Sequence, residues 1–147
     1  MLRDCCRVLS NEGRNVALVD ERNEISACYM GVPSLDVGAR CDVLSFCPRR
    51  TGILMAVRAL APQVIIMDEL GTAEDLRAVN TALDSGVTVI ASVHAGSIEE
   101  LRRKEYSRLL RFNRYVSLQR GERGPVYRAF DADFMPLGAR RDRYCCI

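Results

Sequence analysis

Three apolar stretches stand out along the chain: Val16 to Val19 inside Asn15–Asp20 and Val64 to Met67, both unbroken, and Val87 to Val93, which holds Thr88 and Ser92. Runs without polar alternation predict strands covered on both faces, as in a parallel sheet between helices. Between the runs the period changes to a helical one. Leu2, Cys5, Cys6 and Leu9 share one face of a helix over Leu2–Asn11, with Gly13 as its stop. Thr51–Ala61 predicts a second helix, with Thr51 at the N-cap and Pro62 just beyond its end. A third opens at Thr72, where Asp75 completes a capping box, and closes at Gly86. Ser97 and Glu100 open a fourth, which carries Leu101.

Two stretches fall outside this alternation. Residues 21–50, punctuated by Gly31, Pro33, Gly38 and Pro48, read as one long irregular segment, a length that is usually functional or mobile. Tyr115–Gln119 and Val126–Phe130 read as strands joined through Gly121–Pro125, a hairpin expected to give the sheet a mixed edge. From Asp131 the pattern fades into a tail. The alternation of strand and helix predicts an α/β domain with a parallel sheet in three layers.

Composition narrows the function only by exclusion. A length of 147 residues suits one domain, and a 48% hydrophobic, 27% charged composition is that of an ordinary soluble globular protein. A net charge of +2, from 21 basic and 19 acidic residues, makes no electrostatic case for nucleic acid. The seven cysteines have no Cys-x-x-Cys spacing and include two adjacent pairs, so they read as reduced, small apolar residues. Arg3, Asp4 and Arg7 interrupt any leader-like apolar stretch at the start. No apolar run approaches the ~20 residues of a membrane span, and a cytoplasmic location is expected.

The chemistry gathers where strands end. Asp20-Glu21, Asp68-Glu69 and Ser92-x-His94 each follow an apolar run, and in a doubly wound sheet such ends lie along one rim, where ligands bind. An apolar strand running into Asp68-Glu69 has the layout of a Walker B motif. There Asp68 holds Mg²⁺ and Glu69 polarises the attacking water. A solvated strand end is the plain alternative. For Asp20-Glu21 an ordinary turn is an equal alternative, and the lone His94 could be structural. Its functional role would be to sense the terminal phosphate or to link it to a neighbouring subunit. Among Arg40, Arg49, Arg50 and Arg58, the first and last are the choices for an arginine that neutralises charge on a transferred phosphoryl group. No Gly-x-x-x-x-Gly-Lys-Ser/Thr occurs in the chain, so no phosphate-cradling loop is visible.

The residues also carry a resemblance. Val19 to Ile25, Asp36 to Leu44 (with Gly38 and Arg40), and Ala61 to Gly71 (with Asp68-Glu69) resemble the stage III sporulation protein AA family. Glu74-Asp75, Ala82 to Val87, His94 to Ser97, and Glu99 to Leu101 continue the match, which covers roughly residues 1–130. The family resembles hexameric secretion ATPases. It implies a RecA/AAA-like P-loop core that binds ATP and Mg²⁺ and forms a homo-oligomeric ring. Other stage III sporulation membrane proteins would be its partners, at a channel from mother cell to forespore. Carried over, Asp68 and Glu69 are the Walker B acids, His94 the histidine box, Asp20 and Glu21 the acidic box, and Arg58 the arginine before the Walker B strand. In the family the P-loop precedes a helix reading Leu-Arg-Asp, and here Met1 precedes Leu2-Arg3-Asp4. The resemblance therefore implies a core lacking its P-loop strand, inactive by itself, with residues 1–130 its C-terminal portion and 131–147 a tail. A non-catalytic ring subunit and a nucleic-acid-binding relative are the competing readings.

Overall fold

The first two apolar runs become neighbouring strands, and the third joins them on one side. A computed structural model describes residues 1–121 and 124–138. They fall into two units, Met1–His94 and a second beginning at Ala95. The first contains α1 (Leu2–Asn11), β1 (Val16–Asp20), a short hairpin of β2 (Cys28–Tyr29) and β3 (Val32–Pro33), and β4 (Cys41–Ser45). α2 (Arg49–Met55), β5 (Val64–Met67), α3 (Ala73–Asp84) and β6 (Thr88–Ala91) follow. The main sheet has the order β4-β1-β5-β6, and every neighbour is parallel.

Alternate residues of the central strands face two helical layers. On one side Cys5, Cys6, Leu2 and Leu9 of α1 pack on Val16, Leu18, Val64 and Ile66. On the other, α2 packs on β1 and on α3, which reaches β6. Gly52 makes this second contact close, since a Cβ there would lie 2.6 Å from Cγ1 of Val19. β1 and β5 are buried at every position, as strands covered on both faces must be. The fold is the three-layer parallel α/β arrangement expected from the alternation of runs.

Several boundaries differ from expectation. Residues 21–50 are not irregular throughout, because Cys41–Ser45 forms the outer strand β4. As an edge strand it stays half-exposed, which is why no continuous apolar run announces it. α2 starts at Arg49, with Pro48 in the N-cap position and no side-chain cap, so Thr51 lies inside the first turn. Its end passes into a π-helical turn over Ala56–Leu60 and a left-handed Ala61 with φ 45°. That Ala61 conformation costs roughly 1–2 kcal/mol, held by Pro62 and the strand beyond. The Thr72–Asp75 capping box forms in full.

In the second unit, Ser97 caps α4 (Ile98–Arg103), accepting the Glu100 N–H at 3.1 Å. A 3-10 turn covers Glu105–Leu109. β7 (Arg114–Gly121) and β8 (Gly124–Asp131) pair along their whole length as a separate antiparallel sheet and do not join the parallel one. The expected mixed edge is therefore absent among the described residues. Residues 122–123, part of the expected turn, lie outside that set. Residues 131–138 fold back on the hairpin: the Leu137 N–H donates to the Ala129 carbonyl at 2.9 Å, and Phe134 stacks on Tyr115 at 4.3 Å. The rest of the expected tail, 139–147, lies outside the described residues.

Cys5, Cys6, Cys28, Cys41 and Cys47 are free thiols. A hydrogen bond with Cys41, then burial, pushes the Cys6 thiol far above its ordinary range. Such a thiol is inert packing rather than a nucleophile.

Candidate functional site

Register assembles the rim. Val19 pairs with Met67, and Met67 with Ala91. One residue further along each strand, Asp20, Asp68 and Ser92 therefore stand side by side. Glu21 and Glu69 follow them at the carboxyl edge. Ser92 fixes the turn after β5 by accepting the Glu69 N–H on its hydroxyl at 3.0 Å and the Leu70 N–H on its carbonyl at 2.8 Å. His94 follows at the same edge and is exposed.

The acids at this rim differ in what they do. Asp20 is fully buried. Its carboxylate accepts N–H bonds from Glu24 at 3.0 Å and Ser26 at 2.8 Å, another from Ile25, and the Ser26 hydroxyl at 2.7 Å. It folds the loop over 21–26 and has little capacity left for a ligand. Asn23, left-handed at φ 58°, continues this loop by bracketing the backbone of Cys28 with its amide. Glu21, Asp68 and Glu69 are the acids that face outward. The Asp68 side chain is 14% exposed and that of Glu69 48%, so one is seated and the other is open to water.

One arginine ties two strands together. Arg49, the first residue of α2, donates from Nη1 to Glu21 at 2.9 Å and from Nε to Asp68 at 3.1 Å, with only 13% of its side chain exposed. Arg22 approaches Glu69 at 3.9 Å on the surface, a pair worth little. Arg50 turns to Glu74 at 3.5 Å. The two arginines preferred on sequence grounds sit elsewhere. Arg40 hydrogen-bonds Asn15 at the amino end of β1 and β4, about 15 Å along the strands from the acids. Arg58 lies nine residues beyond Arg49, on a helix running back toward the start of β5, on the order of 13 Å away. The sequence did hold a signal for Arg49. It directly follows Pro48, a residue that often precedes a helix, though the strand before it was not visible in the sequence.

The donor set is one of hard oxygens. Three outward carboxylates and a serine hydroxyl suit Mg²⁺, which keeps most of its waters and takes one or two carboxylates besides substrate phosphates. Among the described residues no group of three or more His, Cys, Asp or Glu side chains converges to hold a metal. With so few protein ligands, a cation would be held weakly by itself and more firmly together with a polyphosphate.

A parallel sheet with helices on both faces and acids at its carboxyl edge defines a doubly wound α/β protein of the class that binds ligands at that edge. The same fold is seen in the X-ray structure of the Legionella pneumophila ATPase DotB, at a TM-score of 0.58 and 16% identity, over 88% of this chain and 40% of that one. The sequence pattern described as "Sporulation stage III, protein AA" matches residues 1–133, and the chain belongs to that family. It is 40% identical over 143 residues to stage III sporulation protein AA of Bacillus subtilis, covering 90% of this chain and 47% of the relative. A ycf45 protein of Cyanidium caldarium is 31% identical over 105 residues, covering 68% of this chain and 30% of its own length. The chain thus spans about half the length of the first of these relatives and less of the second. Among the described residues no helix is long and apolar enough to cross a membrane.

Proposed function

We propose that the rim of Glu21, Asp68, Glu69, Ser92 and His94 is the acidic half of an ATP-hydrolysis site in a sporulation ATPase. The observation that carries this reading is the register of β1, β5 and β6, which sets three strand ends side by side at one carboxyl edge. Bound Mg²⁺ would draw charge from the triphosphate oxygens. Asp68, seated and nearly enclosed, would hold the cation. Glu69, half-exposed beside it and aimed by Ser92, would accept a hydrogen bond from the attacking water and orient it. His94 would meet the terminal phosphate or a neighbouring subunit. Asp20 supports the site by shaping the loop that presents Glu21.

The grip on the β and γ phosphates needs a lysine and a row of backbone N–H groups. The 147 residues contain no such motif, so the reading assigns them weak binding of Mg-ATP and negligible turnover. Arg40 and Arg58, remote from the acids of their own chain, would act across an interface in a homo-oligomeric ring. Family membership supports work at a mother-cell-to-forespore channel, with other stage III sporulation membrane proteins as partners. A fluorescent ATP analogue titrated into the chain tests the site. Binding should be weak, lost with EDTA and lost in Asp68→Asn, while phosphate release should match that of Glu69→Gln. Binding indifferent to both EDTA and Asp68→Asn would overturn the reading.

A further inference from the structure

The Arg49 bridge has the form of an occupied cation seat. Its guanidinium joins Glu21 on the β1 side and Asp68 on the β5 side through separate nitrogens, at 2.9 and 3.1 Å, and is itself nearly enclosed. Two carboxylates that share one guanidinium repel each other without it, and Asp68, 14% exposed, is the less screened of the two while Glu21 is 34% exposed. Arg49 is rooted in the first turn of α2, and α2 rests on β1 through Gly52, so the fork is delivered in place and not by a floppy chain. The other cations near the rim are differently engaged, Arg22 with Glu69 and Arg50 with Glu74, both largely exposed. The Oδ1 atom of Asp68 that takes Arg49 belongs to the carboxylate that the proposed site needs for its metal.

We infer that Arg49 is the resident counter-ion of this rim and competes with the divalent cation for Asp68. The inference rests on the proposed role of Asp68. A guanidinium and a divalent cation repel strongly at hydrogen-bonding distance from one carboxylate. Cation binding therefore requires Arg49 to release Asp68, and until it does the guanidinium offsets one of the two carboxylate charges. Arg49 is a positioning residue with a cost attached: it lowers the intrinsic affinity of the site for metal. Removing it leaves Glu21 and Asp68 facing each other, and their repulsion favours a divalent ion.

Mn²⁺ alone, titrated into the 147-residue chain and followed by the electron paramagnetic resonance signal of the free ion, tests this. Far-UV circular dichroism checks the fold. Arg49→Gln should bind Mn²⁺ about tenfold more tightly than the parent. Arg49→Lys, which keeps the charge but loses the fork across two acids, should fall between. The gain should vanish in Asp68→Asn/Arg49→Gln. Unchanged or weaker binding in Arg49→Gln, or a gain that persists without Asp68, overturns the inference. If Arg49→Gln does not fold, Arg49→Lys decides: tighter than the parent supports competition, and equal or weaker overturns it. Loss of binding in Asp68→Asn without a gain in Arg49→Gln removes the competition and leaves the metal role standing. Binding unaffected by Asp68→Asn removes both.

Discussion

The unit Met1–His94 and the unit beginning at Ala95 treat their apolar residues in opposite ways. The first encloses Leu18, Ile53, Ile65, Ile66, Met67, Leu70, Leu76 and Val79 almost completely. In the second, Val116, Leu118, Val126 and Tyr127 remain about half-exposed on the hairpin, and among the described residues Leu101 is the large apolar side chain that is buried. Charge divides along the same line, with acids outnumbering basic residues up to His94 and the reverse beyond it. The first unit is ordered by burial, which acts on many residues at once. The hairpin is ordered by its own backbone ladder and the Tyr115–Phe134 stack, the weaker principle, since an isolated two-stranded hairpin is marginal in water. The acids of the proposed site stand on the strongly ordered unit, where their spacing is set by register.

The contrast can be sharpened at its strong end first. Ile66→Ala should lower the unfolding free energy by about 2–5 kcal/mol, read from urea titrations by circular dichroism, because Ile66 is enclosed between α1 and the sheet. A loss near that of a surface change would mean that burial does not organise this unit. Asp20→Ala should come next, at about 1–3 kcal/mol, by stranding the N–H groups of residues 24–26. Hydrogen exchange should then quicken in the 21–26 loop well before it does in β5. Leu118→Ser should be the smallest, within about 0.5 kcal/mol, since its side chain is 49% exposed. A larger fall would show that the hairpin face is covered in solution and that the two units are less unlike than their burial indicates.

Much of the first unit was legible in its residues. β1 and β5 declare themselves as continuous apolar runs and β6 as a mainly apolar one, and the capping box at Thr72 and Asp75 marks the start of α3. β4 did not, because an edge strand is covered less completely and Cys41–Ser45 mixes Asp42 and Ser45 with its apolar positions. The strand-end acids were legible as a set, yet their division of labour was not. Asp20 and Asp68 look alike as letters, and only the three-dimensional loop turns the first into an acceptor for its own backbone. Arg40 and Arg58 drew notice by nearness to motifs along the chain. Arg49 acquires its contacts from where a helix begins, which depends on how α2 seats on β1.

That seating has an odd corollary. The clearance between Gly52 and Val19 is an apolar affair, one turn along the same face of the helix from Arg49. It nonetheless sets the height at which a guanidinium hovers over two carboxylates. A single methyl group added under the helix would act as a shim, lifting the fork without touching the groups whose chemistry it alters. If the rim holds the proposed metal, its affinity would thus be tunable from a packing contact that no ligand visits.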